Sequence, residues 1–181
     1  MTEIKVLLLR GVNVAGANRL PMPEFRQMLT EQGVSAVRTH IQSGNAVFLD
    51  PGVPDLATKI ATAMKDRFGF APTMFMMSLK EFDAVLAANP FVQQGNIDGS
   101  KVHVMFLAEP VSAVELSTIA AHATGGEMVK QSDAALYLLL PNGIGRSVLA
   151  EKLERLLKVP KTARNQTSVA AIAALARTIA V

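Results

Sequence analysis

Residues 37–49 read VRTHIQSGNAVFL and predict a β-hairpin. Apolar and polar residues alternate from Val37 to Gln42, which is the period-two pattern of a strand with one exposed face. Ser43-Gly44-Asn45 supplies turn residues, and Ala46–Leu49 returns as the partner strand. This hairpin decides the fold class, because the segments on either side of it each predict one helix and one strand.

The flanking segments complete a compact unit. Ile4–Leu9 is an apolar run of strand length, and a helix follows between Pro21 and Gly33. After the hairpin, apolar residues recur every four positions from Leu56 to Phe68, which predicts a second helix. Thr73–Met77 then forms another strand. The order strand, helix, strand, strand, helix, strand is that of a ferredoxin-like unit.

The same order begins again in the second half. Ser78 and Glu81 form a capping box for a helix that ends by Asn89-Pro90, and residues 91–100, with Gly95 and Gly99, read as a linker. The later elements are predicted as a strand at Val102–Leu107, a helix at Ser112–His122, strands at Glu127–Gln131 and Ala135–Leu140, and helices at Arg146–Leu157 and Thr167–Ile179.

The predicted fold class is therefore α/β (α+β), with two ferredoxin-like βαββα(β) subdomains in tandem and an additional C-terminal helix. The boundaries are expected at 1–78, 79–100 for the helix and linker, 101–160, and 161–181, within one compact structural unit. Residues 42–49 and residues 131–138 are similar when aligned, which suggests an internal duplication.

Composition bounds the class of protein. The chain has 181 residues, 18 Lys and Arg against 15 Asp and Glu, and no Cys, so thiol nucleophiles and thiolate metal sites are excluded. No apolar run reaches the roughly 18–20 residues that cross a bilayer, and the start lacks the pattern of a signal peptide. We expect a cytoplasmic protein without a membrane partner, as either a monomer or a homodimer.

The topology predicts one candidate site. In a ferredoxin-like unit, the end of the first strand and the hairpin after the second strand emerge at the same edge. Glycine-rich backbone, a helix N-terminus and arginines there can hold a phosphate or carboxylate. The alternative is that these Gly and Asn residues only form turns and that the arginines are solvated. The candidate ligand-binding residues at this edge are Arg10, Gly11, Asn13, Gly16, Asn18, Arg19, Gln42, Ser43, Gly44 and Asn45.

Two further segments bear on this site. The corresponding edge of the second half carries Glu109 and Asp133 and no Arg, so an anion site is expected only in the first half. Before the last helix, Lys161 and Arg164 could face an anion, with Asn165 or Thr167 as the helix cap. The alternative is a capped helix with solvated charges.

The motifs RGVNVAGAN at 10–18, IQSGNAVF at 41–48 and TARN at 162–165 resemble those of the bacterial domain of unknown function 1697 family. The resemblance spans nearly the whole chain. It implies a pair of ferredoxin-like subdomains and no established reaction. The family often has an aromatic residue after its last motif, whereas this chain has Gln166, which argues against base or ring stacking there.

No reaction follows from these residues. The three His are scattered, so we expect no metal site and no cofactor, and no catalytic residue is identified. The leading hypothesis is binding of a small anionic ligand at the edge formed by loop 10–20 and hairpin 42–45, with Arg164 and Asn165 as further candidates. The alternatives are a nucleic-acid-binding module without sequence specificity, and a protein-interaction or self-assembly module.

Overall fold

The structure is a computed structural model that describes residues 2–92 and 97–180. The chain divides into two compact units, the first formed by Met1–Asp83 and Ala170–Val181 and the second by Ala84–Val169. Gly95 of the predicted linker lies outside the described residues. No helix in the described ranges is long and apolar enough to cross a membrane.

The first unit contains an antiparallel sheet with strand order β2-β3-β1-β4. Two helices connect its strands, and a third begins where β4 ends. The elements are β1 (Glu3–Leu9), α1 (Met22–Glu31), β2 (Ser35–His40), β3 (Asn45–Asp50), α2 (Leu56–Phe68), β4 (Met74–Ser78) and the start of α3 (Leu79–Ala87). This element order and strand order are those of a ferredoxin-like fold.

The second unit repeats this arrangement, with strand order β6-β7-β5-β8. Its elements are β5 (Val102–Leu107), α4 (Ala113–Ala120), β6 (Met128–Gln131), β7 (Ala135–Leu139), α5 (Val148–Leu156), β8 (Lys161–Asn165) and the start of α6 (Gln166–Arg177). The predicted fold class is confirmed: two four-stranded antiparallel sheets with flanking helices stand in tandem, and a helix ends the chain.

Burial explains why the central strands are continuously apolar. Leu7 and Leu9 of β1 pack with Phe25 of α1 and Ile60 of α2 in the core of the first unit. The side chains of the alternate β1 residues are equally inaccessible, with Leu8 at 0% exposure. Both faces of the sheet are therefore buried at β1, so alternation with polar residues is absent there.

Each fourth strand leads directly into a capped helix. Ser78 Oγ accepts a hydrogen bond from the Glu81 backbone N–H, and the Glu81 carboxylate accepts from the Ser78 N–H, as the predicted capping box requires. In the second unit, Asn165 Oδ1 accepts from the Ser168 N–H at 2.8 Å. Asn165 is thus the cap of α6, and α6 stands to β8 as α3 stands to β4.

Residues 161–165 form strand β8, whereas the sequence pattern predicts only a segment leading into the last helix there. Their composition, KTARN, lacks the apolar content of a typical strand. They pair with β5 in the register Leu107 to Lys161 and His103 to Asn165. The pairing with a buried neighbour supplies the stabilisation that local propensity does not, which is why the pattern missed this strand.

The predicted alignment of residues 42–49 with 131–138 is shifted by one position. The N–H of Leu9 donates to Gly44 O, and the N–H of Leu107 donates to Ala134 O, so Gly44 corresponds to Ala134. The sequence alignment of these two segments pairs Gly44 with Asp133 instead. The turn between β6 and β7 is one residue shorter than that between β2 and β3. A one-residue slip exchanges the two faces of a strand.

The helix predicted at Arg146–Leu157 is also corrected at its start. Ile144–Arg146 forms a single 3₁₀ turn, and α5 begins only at Val148. Ser147 separates the two, because its extended backbone lets its hydroxyl accept the Ala150 N–H at 2.9 Å. Serine is a favoured N-cap residue, so Ser147 within the predicted helix is the sequence signal for this boundary.

The last helix buries one stripe within the chain. Ile172, Ala173 and Ala176 of α6 are each at most 1% exposed, and Leu175 is half-buried. Beyond the end of the helix, the Thr178 hydroxyl accepts a hydrogen bond from Arg38 of β2. This bond joins the two chain segments that make up the first unit.

His103 is a buried titratable side chain in the second sheet. It is 5% exposed, and its Nδ1 has no hydrogen-bond partner among the described residues. Burial lowers the pKa of His103 from its ordinary value of 6.5, against an opposing hydrogen bond to the backbone of Lys101. The imidazole is therefore neutral in the folded chain at neutral pH.

We predict that His103 makes the second unit acid-sensitive. Because the folded state holds the pKa of His103 below 6.5, the unfolded chain binds more protons, and the free energy of unfolding falls as the pH drops below 6.5 toward the folded pKa. Chemical denaturation between pH 8 and pH 5 measures this slope. His103→Gln should flatten the profile relative to the wild type, whereas substitution of the exposed His122 by Gln should leave it unchanged. Equal slopes in all three proteins would contradict this account.

Candidate functional site

The candidate edge of the first unit is built on the end of β1. The N–H of Leu9 donates to the turn residue Gly44 at 2.9 Å, and the N–H of Arg10 donates to Thr73 O at 2.9 Å. These two bonds bring the loop after β1 beside the β2–β3 turn and the approach to β4. The topology therefore places the predicted loop and hairpin next to each other.

The Asn13 side chain joins the loop to the hairpin. Its Nδ2 donates to Gln42 O at 2.7 Å and to Leu20 O at 3.0 Å, and its Oδ1 accepts from the Leu20 N–H at 2.8 Å. One amide group thus fixes both ends of the loop and the neighbouring turn. Both the amide nitrogen and the amide oxygen of Asn13 bond to backbone, so this side chain holds the loop in place.

The rest of the loop is held by similar bonds. Asn18 Nδ2 donates to Gly11 O at 2.9 Å, and the Ala17 N–H donates to Val14 O at 2.9 Å, closing a tight turn at the tip. Several residues have left-handed backbone: Gly11, Asn13, Ala15, Gly16 and Asn18. Gly and Asn adopt this region at the lowest cost, so the composition of the motif reflects its backbone.

The hairpin turn is equally constrained. Asn45 is 0% exposed and its Nδ2 donates to His40 O at 3.2 Å and to Ser43 Oγ at 2.8 Å. Ile41 is 54% exposed and has φ of 50°. A β-branched residue at positive φ is strained, and such strain often accompanies a functional site.

A shallow depression of about 280 Å³ lies where the loop enters α1. Asn13, Arg19 and Gln42 supply its polar lining, and Leu20 to Pro23 the remainder. Helix α1 starts at this depression after Pro21, and no side chain of the described residues caps it. Arg19 is exposed, Arg10 is half-buried, and Glu24 in the first turn is the nearby acidic residue along the chain.

The second unit shows that the fold does not require a long loop between its first strand and first helix. Residues 10–21 connect β1 to α1, twelve positions, whereas residues 108–112 connect β5 to α4, five positions. The short connection keeps the equivalent backbone bond, from the Ala108 N–H to Pro160 O at 2.9 Å. It carries exposed Glu109 and ends at Ser112, whose hydroxyl accepts the Glu115 N–H and so caps α4.

Arg164 and Asn165, the remaining predicted site residues, belong to the second unit. Arg164 Nη1 donates to Thr162 Oγ1 and to Ala163 O, both at 2.9 Å, and burial lowers the pKa of Arg164 to about 10. Asn165 caps α6 as described above. Lys161, named with them, is 4% exposed and donates through Nζ to Leu157 O at 2.8 Å, at the C-terminus of α5. That contact is a favourable one for a cation.

Buried polar residues in β8 are the feature that sequence reasoning missed. Thr162 and Lys161 are 5% and 4% exposed, whereas the sequence predicts that Lys161 faces either an anion or solvent. Pairing shows that Lys161 and Thr162 stand where the first unit has Met74 and Phe75. An alignment of β4 with β8 would have indicated that Lys161 and Thr162 are buried. That alignment requires that β8 first be recognised as a strand. Within residues 2–92 and 97–180, no three His, Asp or Glu side chains cluster closely enough to bind a metal ion.

We predict that Gly44 is the least replaceable glycine of this edge. Gly44 and Gly16 both have positive φ, so alanine costs roughly 1–2 kcal/mol at either position. At Gly44 a Cβ would also lie 2.7 Å from Val12 Cγ2, whereas at Gly16 nothing lies within 4 Å. Gly44→Ala should therefore lower the free energy of unfolding by about 1–3 kcal/mol more than Gly16→Ala. Urea denaturation of both variants tests this, and equal losses would show that Gly44 is not sterically required.

Comparison with known proteins agrees with the fold. A solved structure titled "The structure of conserved bacterial protein SP0830 from Streptococcus pneumoniae" is similar over 97% of this chain and 99% of that chain, with a TM-score of 0.75 and 23% identity. At this identity the likeness concerns the fold alone. No curated protein matches the chain.

The family comparison covers most of the sequence. Residues 1–137 match the family described as "Protein of unknown function (DUF1697)". This range includes the loop and hairpin motifs of the first unit and extends into β7 of the second. The chain belongs to this DUF1697 family.

Proposed function

We propose that the chain is a cytoplasmic binding protein whose first unit holds a small anionic ligand, bearing a phosphate or carboxylate, at the edge formed by loop 10–20 and hairpin 42–45. The observation that carries this proposal is the length of the loop together with the side-chain hydrogen bonds that hold it. The second unit makes the same β-to-α connection with five residues where the first uses twelve. Ordered loops longer than their fold requires usually serve binding or catalysis.

The chemistry of the edge supports an anion. The uncapped start of α1 presents the backbone N–H groups of Met22 and Glu24, since Pro21 and Pro23 have none, and Arg19 borders the same depression. Asn13 fixes the loop against Gln42, so the donors are held in place before a ligand arrives. Preorganised donors lose little freedom on binding, which favours a small ligand. The depression is small and shallow, which limits the ligand to the size of a phosphate or carboxylate group with a short substituent.

Nucleic-acid binding uses the same groups and remains the alternative. The net charge of +3 is small for 181 residues, so the chain as a whole lacks the charge of a typical nucleic-acid-binding protein. A backbone-binding module would show affinity that rises with oligonucleotide length and falls steeply with salt. A small-ligand site would not distinguish long from short oligonucleotides.

We predict that phosphorylated or carboxylated metabolites raise the melting temperature through Arg19 and Arg10. A thermal-shift screen should find at least one anion that stabilises the wild type, and calorimetry should give at least about a tenfold weaker Kd for Arg19→Ala, since a charge-assisted contact contributes about 1.5–3 kcal/mol. Arg155→Ala is the matched control, because Arg155 is an exposed arginine of α5 in the second unit. It should bind as the wild type does.

Two results would refute this proposal. One is a screen in which no anion stabilises the wild type more than a variant carrying both Arg10→Ala and Arg19→Ala. The other is binding that depends on oligonucleotide length and disappears with moderate salt, which would assign the edge to nucleic acid instead.

A further inference from the structure

Two exposed apolar side chains lie at the candidate edge of the first unit. Val14, at the tip of the loop, is 59% exposed, and Ile41, at the start of the β2–β3 turn, is 54% exposed. Within the described residues of the first unit, 2–83 and 170–180, these two are the only large apolar side chains that are exposed. Exposed apolar residues are normally scattered singly over a surface, so two at one edge indicate a contact surface.

Both side chains belong to residues next to the depression where the loop enters α1. Asn13 and Gln42 line this depression, and Asn13 Nδ2 donates to Gln42 O at 2.7 Å. Val14 follows Asn13 in the chain and Ile41 precedes Gln42. The Cα atom of each therefore lies about 3.8 Å from the Cα atom of a lining residue. A short alkyl chain attached to an anion in the depression can reach these side chains.

Ile41 is a residue that the backbone at its position disfavours. Its φ of 50° lies in the left-handed region, which a β-branched residue rarely adopts and which Asn and Gly adopt with less strain. More than half of the side chain is exposed, so burial within the chain compensates little of this strain. Stability alone therefore favours Asn or Gly here, and contact with an apolar group outside the chain is a reason for isoleucine.

The charge of the edge indicates what accompanies that apolar group. Three segments meet at the edge through the backbone bonds of Leu9 and Arg10, and they contain two arginines and no Asp or Glu. Glu24, which follows the last lining residue of the depression, is the nearest carboxylate along the chain, and half-buried His40 ends β2 beside the turn. Positive charge beside exposed apolar side chains matches an amphiphilic anion. The three segments are residues 10–23, 41–44 and 69–73.

The equivalent edge of the second unit has neither property. Residues 108–112 and 132–134, which the structure describes in full, carry the carboxylates Glu109 and Asp133 and expose no large apolar side chain. The fold therefore does not require exposed apolar residues at this edge, and their presence in the first unit coincides with the absence of acidic residues.

We propose that the ligand of the first-unit edge is an amphiphilic anion, a phosphate or carboxylate that carries an unbranched alkyl substituent. The anionic group occupies the depression beside Arg19, and the alkyl chain lies against Ile41 and Val14. This inference rests on the proposed function, because it assigns the substituent of the anion bound there. The same chemistry occurs in a free alkyl phosphate and in the phosphate monoester headgroup of phosphatidic acid.

Methyl phosphate and n-butyl phosphate test this proposal on the full chain, with backbone NMR shifts at residues 13–24 as the readout. The two monoesters differ by three methylene groups, and full burial of each would contribute about fourfold in affinity. Because the surface is open, n-butyl phosphate should bind at least about fivefold more tightly than methyl phosphate. Acetate and pentanoate differ by the same three groups and provide the same comparison for carboxylates.

Substitutions assign the gain in affinity to the two side chains. Ile41→Asn should lower the ratio of the two affinities at least about twofold, and the double variant Ile41→Asn, Val14→Thr should bring it near one, with the Kd of methyl phosphate unchanged. Asn tolerates positive φ, so Ile41→Asn should unfold at no lower urea concentration than the wild type. Ile144→Asn is the matched control, because Ile144 is an exposed isoleucine of the second unit, and it should leave the ratio unchanged.

Sedimentation with phosphatidylcholine vesicles, with and without phosphatidic acid, distinguishes the two sources of this chemistry. Sedimentation of the wild type but not of the double variant, only when phosphatidic acid is present, would assign the lipid headgroup. Tight binding of n-butyl phosphate without sedimentation would assign a free amphiphile.

Two results would overturn this inference while leaving the proposed anion site intact. One is equal binding of the short and long member of both pairs. The other is an unchanged ratio in the folded double variant. If none of the four anions binds at residues 13–24, the anion site itself is refuted, and this inference with it.

Discussion

The hydrogen bonds at the end of each central strand are the constraint on which the structure depends. In the first unit the N–H groups of Leu9 and Arg10 bond to Gly44 and Thr73, and in the second those of Leu107 and Ala108 bond to Ala134 and Pro160. The same three chain segments therefore meet at one edge in both units. Because this frame is repeated, each difference between the units is a feature that the fold does not require.

The two units differ at the edge and in the fourth strand. At the edge, the first unit uses a long loop fixed by Asn13, whereas the second uses a short connection with an acidic residue. In the fourth strand, the second unit replaces the apolar β4 sequence with β8, which buries Lys161 and Thr162 and leaves Ala163 beneath a cleft. Burying polar side chains costs free energy unless they are bonded, and Lys161 donates to the end of α5. Each unit thus departs from the shared frame at a different place.

Much of the fold follows from the sequence because burial leaves periodic patterns. The hairpin at 37–49, the capping box at Ser78 and the strand at Val102–Leu107 were all predicted from alternation, caps and apolar runs. Strand β8 was not, because its stability comes from pairing with β5 rather than from its own composition. The alignment between the two units was also not predicted correctly. The two hairpin turns differ by one residue, and apolar residues in the sequence do not show which face of a strand they occupy.

For the candidate site, the sequence predicts which chain segments come together but not the contacts between them. Topology brings the loop and the hairpin together, but the three bonds of the Asn13 amide could not be read from the motif. The central claim is that the edge formed by loop 10–20 and hairpin 42–45 holds an anion. Backbone NMR during a titration with inorganic phosphate tests it most directly. We expect saturable shifts largest at residues 13–24 and 42–45 and absent from residues 108–112. Shifts of equal size at both edges, or none that saturate, would contradict it.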